Sequence, residues 1–203
     1  MRDLIELYAM TTDRVAAIVD TEPDPRAETP CPGWDYGQLL GHLVGGDRLF
    51  VAIIAGRGVP TQPRLTPDAD QPPPTPADYR EASGRLASVL QDPEVSAGVY
   101  QVPVGRLHGS EIVVLRSVEH LLHGWDLAVA GGVGTDVLEA PATALAGPAH
   151  RLLLAVGEKV LGERRPFGAP IAVADDASEI DRVVAMFGRD PRWRPHRVAQ
   201  TRQ

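Results

Sequence analysis

Between Ile112 and Trp125 the apolar residues Ile112, Val113, Leu115, Val118, Leu121, Leu122 and Trp125 recur three and four positions apart, and no proline interrupts them before Gly131-Gly132. Successive residues of an α-helix turn by about 100°, so this spacing lays the seven side chains along one stripe. Ser110 is the expected cap, Glu111 favours the first turn, and the glycine pair ends the helix. A helix striped in this way is stable only if other helices cover the stripe.

The chain supplies three partners. Apolar residues from Leu4 through Val19 predict a helix over 3–20, stopped by Glu22-Pro23-Asp24-Pro25. A prolyl turn, Thr29-Pro30-Cys31-Pro32-Gly33-Trp34, leads to Asp35, an N-cap for a helix over 36–55 whose apolar face carries Leu39, Leu40, Leu43, Val44, Phe50 and Ile54. Leu86, Val89 and Leu90 mark a helix over 79–90. A further helix is expected over 142–161, its start broken or offset by Gly147-Pro148. A short strand or extended segment is expected over 99–105, a short strand over 170–174, and a short helix over 180–187, before a basic tail. The prediction is therefore an all-α chain with short extra segments, divided into a bundle over 1–165 and a C-terminal extension over 166–203 packed on it. Seven prolines between Val59 and Pro76 make that stretch a loop and a candidate lid. Gly131-Gly132-Val133-Gly134 follows a helix and not a strand, so it reads as a turn and not as a phosphate loop.

Charge and composition exclude several functions. With 20 Lys+Arg against 27 Asp+Glu the formal net charge is −7, which disfavours nonspecific attraction to nucleic acid or to anionic membranes. No apolar run approaches the roughly 18–20 residues that span a bilayer, and the acidic, interrupted start does not read as a signal peptide, so the expected compartment is the cytoplasm. The single cysteine, Cys31, excludes an intramolecular disulfide and a cysteine-clustered zinc site, leaving histidine and carboxylate as the strong ligands for a metal.

One segment combines those ligand types. In Val118-Glu119-His120-Leu121-Leu122-His123-Gly124-Trp125-Asp126, Glu119 and His123 stand four apart, about 40° from each other round the helix and about 6 Å along it, so both can reach one ion. A third ligand must come from elsewhere, and His42 in the second helix is the candidate. Each has a plainer reading: His42 as a core histidine bonded to a carbonyl, and Glu119/His123 as an i,i+4 pair on a solvated face. The angles favour Glu119 facing inward and His120 turned to the rim. Asp126, three after His123, reads equally as a hydrogen-bond partner behind a metal-bound histidine or as an ordinary polar residue. His108, His150 and His196 lack partners at metal spacing, and Cys31 lacks a neighbouring base and reads as structural.

Four segments together, Thr29-Pro30-Cys31-Pro32-Gly33-Trp34, Leu39-Leu40-Gly41-His42-Leu43-Val44-Gly45-Gly46, His123-Gly124-Trp125-Asp126-Leu127-Ala128 and Phe187-Gly188-Arg189-Asp190-Pro191, resemble the actinobacterial branch of the DinB-like superfamily. Its best-understood relative is the metal-binding domain of mycothiol-dependent maleylpyruvate isomerase. The resemblance implies an up-down four-helix bundle holding a divalent ion, zinc first and nickel or iron as alternatives, through His42, Glu119 and His123. It also implies a low-molecular-weight thiol, mycothiol, as co-substrate for S-transfer or isomerisation of a small electrophile by a monomer or homodimer. Arg48, Arg57 and Arg116 are candidates to meet a carboxylate of thiol or substrate. The few residues after Pro191 are not expected to form the isomerase's full additional C-terminal domain, so maleylpyruvate itself is not the expected substrate. Two rivals stand beside the enzyme: a non-catalytic metal- or ligand-binding module, and metal-free chemistry on a specialised metabolite.

Overall fold

The computed structural model describes residues 2–58, 71–159 and 168–195. Four helices form the bundle: α1 (Arg2–Val19), α2 (Tyr36–Ile54), α3 (Pro76–Leu90) and α5 (Gly109–Gly131). α1 packs on α3 and α5, and α2 packs on the same two from the other side, so the four stripes close on one another. Between α3 and α5 lie the short α4 (Pro93–Ala97) and an antiparallel hairpin of β1 (Val99–Val102) and β2 (Gly105–His108). α6 (Glu139–Lys159) lies against α5, and α7 (Glu179–Met186) against α6. No described helix is long and apolar enough to cross a membrane.

Local chemistry explains most of the boundaries. At the start of α2 the Asp35 carboxylate accepts from the Gln38 amide at 2.8 Å while the Asp35 amide donates to Gln38 Oε1 at 3.0 Å, a reciprocal cap. Gly132 ends α5 in the left-handed conformation at φ 69°, as the glycine pair foretold. α1 and α5 approach closely at Gly124, where a Cβ would stand 2.4 Å from Val15 Cγ2.

Several expectations are corrected. α5 begins before Ser110: its N-cap is His108, whose amide donates to Glu111 Oε2 at 2.7 Å, so Glu111 closes the cap and Ser110 lies inside the first turn. α3 starts at Pro76 because Thr75 caps it and proline suits a first turn, so the proline-rich stretch is shorter than 59–76; residues 59–70 of the candidate lid lie outside the described residues. Residues 99–108 form a hairpin and not a single strand. Pro148 lies inside α6 and does not break it. Residues 170–174 are not a strand: none of the described strands pairs with them, and Ile171 donates its amide to Ala185 O at the end of α7.

The core divides into two apolar clusters, one around Leu39, Leu43, Leu121 and Trp125, the other around Tyr8, Phe50, Leu86 and Ile112. Where they meet, a layer of polar side chains is buried: Asp47 between Val44 and Phe50, and Arg116 and His120 on α5.

Candidate functional site

The loop before α2 forms one wall of the site. Thr29 Oγ1 donates to Trp34 O at 2.7 Å and accepts from the Cys31 amide at 3.2 Å, while the Trp34 amide donates to Cys31 O at 3.1 Å. These bonds present Trp34 and Cys31 toward α2 and α5. The Trp34 ring lies 4.7 Å from His42 and 6.2 Å from His123, centroid to centroid. His42 and His123 are themselves 5.1 Å apart and nearly perpendicular.

Behind His123 stands a hydrogen-bonded cluster. His123 Nδ1 is 3.0 Å from Asp126 Oδ2. An ionised carboxylate only accepts, so Nδ1 carries a proton, which in the neutral ring leaves the lone pair on Nε2. Asp126 is fully buried, and its charge is met by Arg189: Nε reaches Oδ1 at 2.9 Å and Nη2 reaches Oδ2 at 2.8 Å. Burial alone would raise the Asp126 pKa; the Arg189 guanidinium and the hydrogen bonds from His123 and Arg189 outweigh it and hold the carboxyl at about 2. Cys31 Sγ sits 3.4 Å from Asp126 Oδ2 and 3.7 Å from His123 Nδ1. Burial and the Asp126 charge push its thiol up to about 12, so at neutral pH it is a protonated donor to Asp126.

Among the described residues, Cys31, His123 and Asp126 bring three ligand-type atoms within 4.8 Å of one another. In the described structure the carboxylate of this group is matched by Arg189, and Cys31 Sγ and His123 Nδ1 both lie against it. The nitrogen of His123 left for a ligand is Nε2. Glu119, one turn before His123 on α5, is half-buried, and Arg116 Nη1 donates to its Oε2. The structure thus brings His42 and His123 together, whereas Glu119 is engaged by Arg116 and does not join a three-residue cluster.

Asp126 is where a hydrogen-bond partner behind His123 is needed. His120, in contrast, does not face the rim: it is fully buried, with Nε2 3.0 Å from Asp47 Oδ2 and Nδ1 2.8 Å from the Tyr79 hydroxyl. The reason is chemical. Asp47 and Tyr79 give the imidazole an acceptor and a donor inside the core, so its burial leaves no orphaned nitrogen and Glu119 takes the more exposed position. Burial lowers the His120 pKa against the opposing pull of Asp47, consistent with a neutral ring that donates from Nε2 and accepts at Nδ1. Arg116 is buried as well and is spent on Asp47 (Nε to Oδ1, 3.0 Å), Leu43 O and Glu119. Arg48 is exposed and pairs with Asp78 at 3.2 Å, and Arg57 lies on the surface after α2. Of the remaining histidines, His108 and His150 are exposed and His196 lies outside the described residues.

Sequence reasoning missed Asp47, Tyr79 and Arg189. Asp47 carried a usable signal, since it falls within the stripe between Val44 and Phe50; Arg189 carried only its place in the Gly188-Arg189-Asp190-Pro191 segment.

The helical bundle with its short peripheral elements has the DinB-like fold. Residues 8–128 match the mycothiol maleylpyruvate isomerase N-terminal domain, and the chain belongs to that family. The crystal structure of the mycothiol-dependent maleylpyruvate isomerase shares the fold, with a TM-score of 0.52 at 16% identity over 70% of this chain and 68% of that one. Two uncharacterized proteins from two strains of Mycobacterium tuberculosis are each 27% identical over 164 residues, 81% of this chain and 84% of theirs.

Proposed function

We propose that the chain is a metal-dependent enzyme of thiol chemistry, using mycothiol or a similar low-molecular-weight thiol for S-transfer to, or isomerisation of, a small electrophile, with His42, Glu119 and His123 holding the ion. The observation that carries this reading is the state of His123: Asp126 holds the proton on Nδ1 and leaves Nε2 as the ligand nitrogen, with the His42 ring 5.1 Å away. Glu119 adds a carboxylate one turn before His123 on α5, with Arg116 Nη1 donating to its Oε2. A zinc ion in such a site would lower the pKa of a coordinated thiol or water and polarise a carbonyl. The chain's own contribution is to orient the two imidazoles, to shield them with the Trp34 ring, and to keep Cys31 protonated so that it does not compete as a thiolate. Arg116 and Arg189, both buried in internal pairs, do not serve as carboxylate receptors in this arrangement.

That last point also favours a second reading, a metal- or ligand-binding module without turnover. The test is elemental analysis of untagged protein purified without chelator, beside His42→Ala and Glu119→Ala checked by circular dichroism. Metal near one per chain in the wild type and lost in both folded variants supports the centre. Thiol-dependent turnover of an electrophile that disappears with the metal supports the enzyme over the module. A wild type that neither carries nor takes up zinc, nickel or iron overturns both metal readings.

A further inference from the structure

Arg189 lies outside residues 8–128, the span matched by the family, yet its guanidinium is buried against Asp126, 63 positions earlier in the chain. The turn that delivers it is specific. α7 ends at Met186, Gly188 adopts φ 81°, and the Arg189 amide donates back to Val184 O at 3.1 Å, which directs the side chain into the bundle. There Nε donates to Asp126 Oδ1 at 2.9 Å and Nη2 to Oδ2 at 2.8 Å, so both carboxylate oxygens are gripped by one planar fork.

The fork leaves Asp126 little freedom. With the carboxylate plane set by Arg189, Oδ2 is held 3.0 Å from His123 Nδ1, in position to accept its proton. Arg189 Nη2 is 3.5 Å from the same nitrogen, but a guanidinium only donates, so it cannot share Nδ1 with a proton already there. The shorter contact, to the acceptor, decides which tautomer His123 adopts.

We infer that Arg189 is a positioning residue for His123: through Asp126 it fixes the imidazole as the Nδ1–H tautomer and so presents Nε2 as a ligand atom. The C-terminal segment therefore completes a site whose ligands all come from the bundle. That Nε2 serves a metal rests on the function proposed above; the tautomer itself does not.

The test uses the full-length chain and the variants Arg189→Gln and Asp126→Asn, the second of which keeps the side-chain shape. Nitrogen-15 NMR of the metal-free proteins reports the His123 tautomer, and competition with a zinc chelator reports affinity. The expected result is a wild-type His123 protonated on Nδ1, loss of that single tautomer in both variants with the fold retained, and zinc affinity lowered by roughly 10–100-fold. Should Arg189→Gln fail to fold, Asp126→Asn and the wild-type tautomer carry the test. A wild-type His123 protonated on Nε2, or folded variants that keep both the tautomer and the affinity, overturns the inference. If the tautomer behaves as expected but no form binds zinc, the positioning role stands and the metal reading falls.

Discussion

Asp47 on α2 and Arg116 on α5 meet at 3.0 Å with each side chain only 1% exposed. Both ions have left water, and the cost is met by mutual attraction together with the bonds Asp47 accepts from His120 and Arg116 gives to Leu43 O. Removing one partner strands the other. Asp47→Ala is expected to lower unfolding free energy by about 3–5 kcal/mol in urea titrations. A loss below about 1 kcal/mol, the range of exposed pairs, would show that Arg116 finds water.

The same carboxylate predicts an acid response. Burial opposes ionisation of Asp47, but the His120 and Arg116 contacts prevail and its pKa lies below the ordinary 3.8. A depressed folded pKa contributes stability that is present above the unfolded value and is lost as pH falls through the folded one. Plotted from pH 5 downward, unfolding free energy should fall more steeply below 3.8 in the wild type than in Asp47→Asn. Parallel curves would contradict the pairing.

Close helix packing gives a steric prediction. A Cβ on residue 124 would stand 2.4 Å from Val15 Cγ2, so Gly124→Ala should cost about 1–3 kcal/mol by overpacking. Adding Val15→Ala should recover part of that loss, giving a measurable coupling energy in a double-mutant cycle. Additive losses would mean that α1 and α5 do not meet through this pair.

Cys31 should be a slow nucleophile. Its thiol, pushed up to about 12 by burial and Asp126, has roughly a thousandth of the thiolate of an unfolded cysteine at pH 8. Iodoacetamide labelling at pH 8 followed by mass spectrometry should be slower in native than in denatured protein by about tenfold or more, the higher nucleophilicity of a high-pKa thiolate offsetting part of the lost thiolate, and should still be rising at pH 10. Equal rates would place Cys31 outside the cluster.

The bundle was legible because its signals are local. The stripe from Ile112 to Trp125, the Asp35 cap and the Gly132 stop each act within a few residues, and each lies where it was read. Errors fell where a local signal had a close rival: Ser110 lost the cap to His108 because Glu111 could reach the earlier amide. Pro148 did not break α6, while residues 170–174 found no strand to pair with among the described residues.

The candidate site divides along the same line. Sequence alone determined that His42 lies on one helix, that Glu119 and His123 share a face of another, and that Asp126 follows one turn after His123, since helical geometry is set by residues close in the chain. Tertiary structure decided that His120 is buried and Glu119 more exposed, that Arg116 is spent on Asp47 and not left for a ligand, and that Cys31 and Arg189 converge on Asp126 from 95 and 63 positions away. Whether a polar side chain is buried depends on whether a partner waits in the core. That partner is brought by another element, and no spacing within one helix records it.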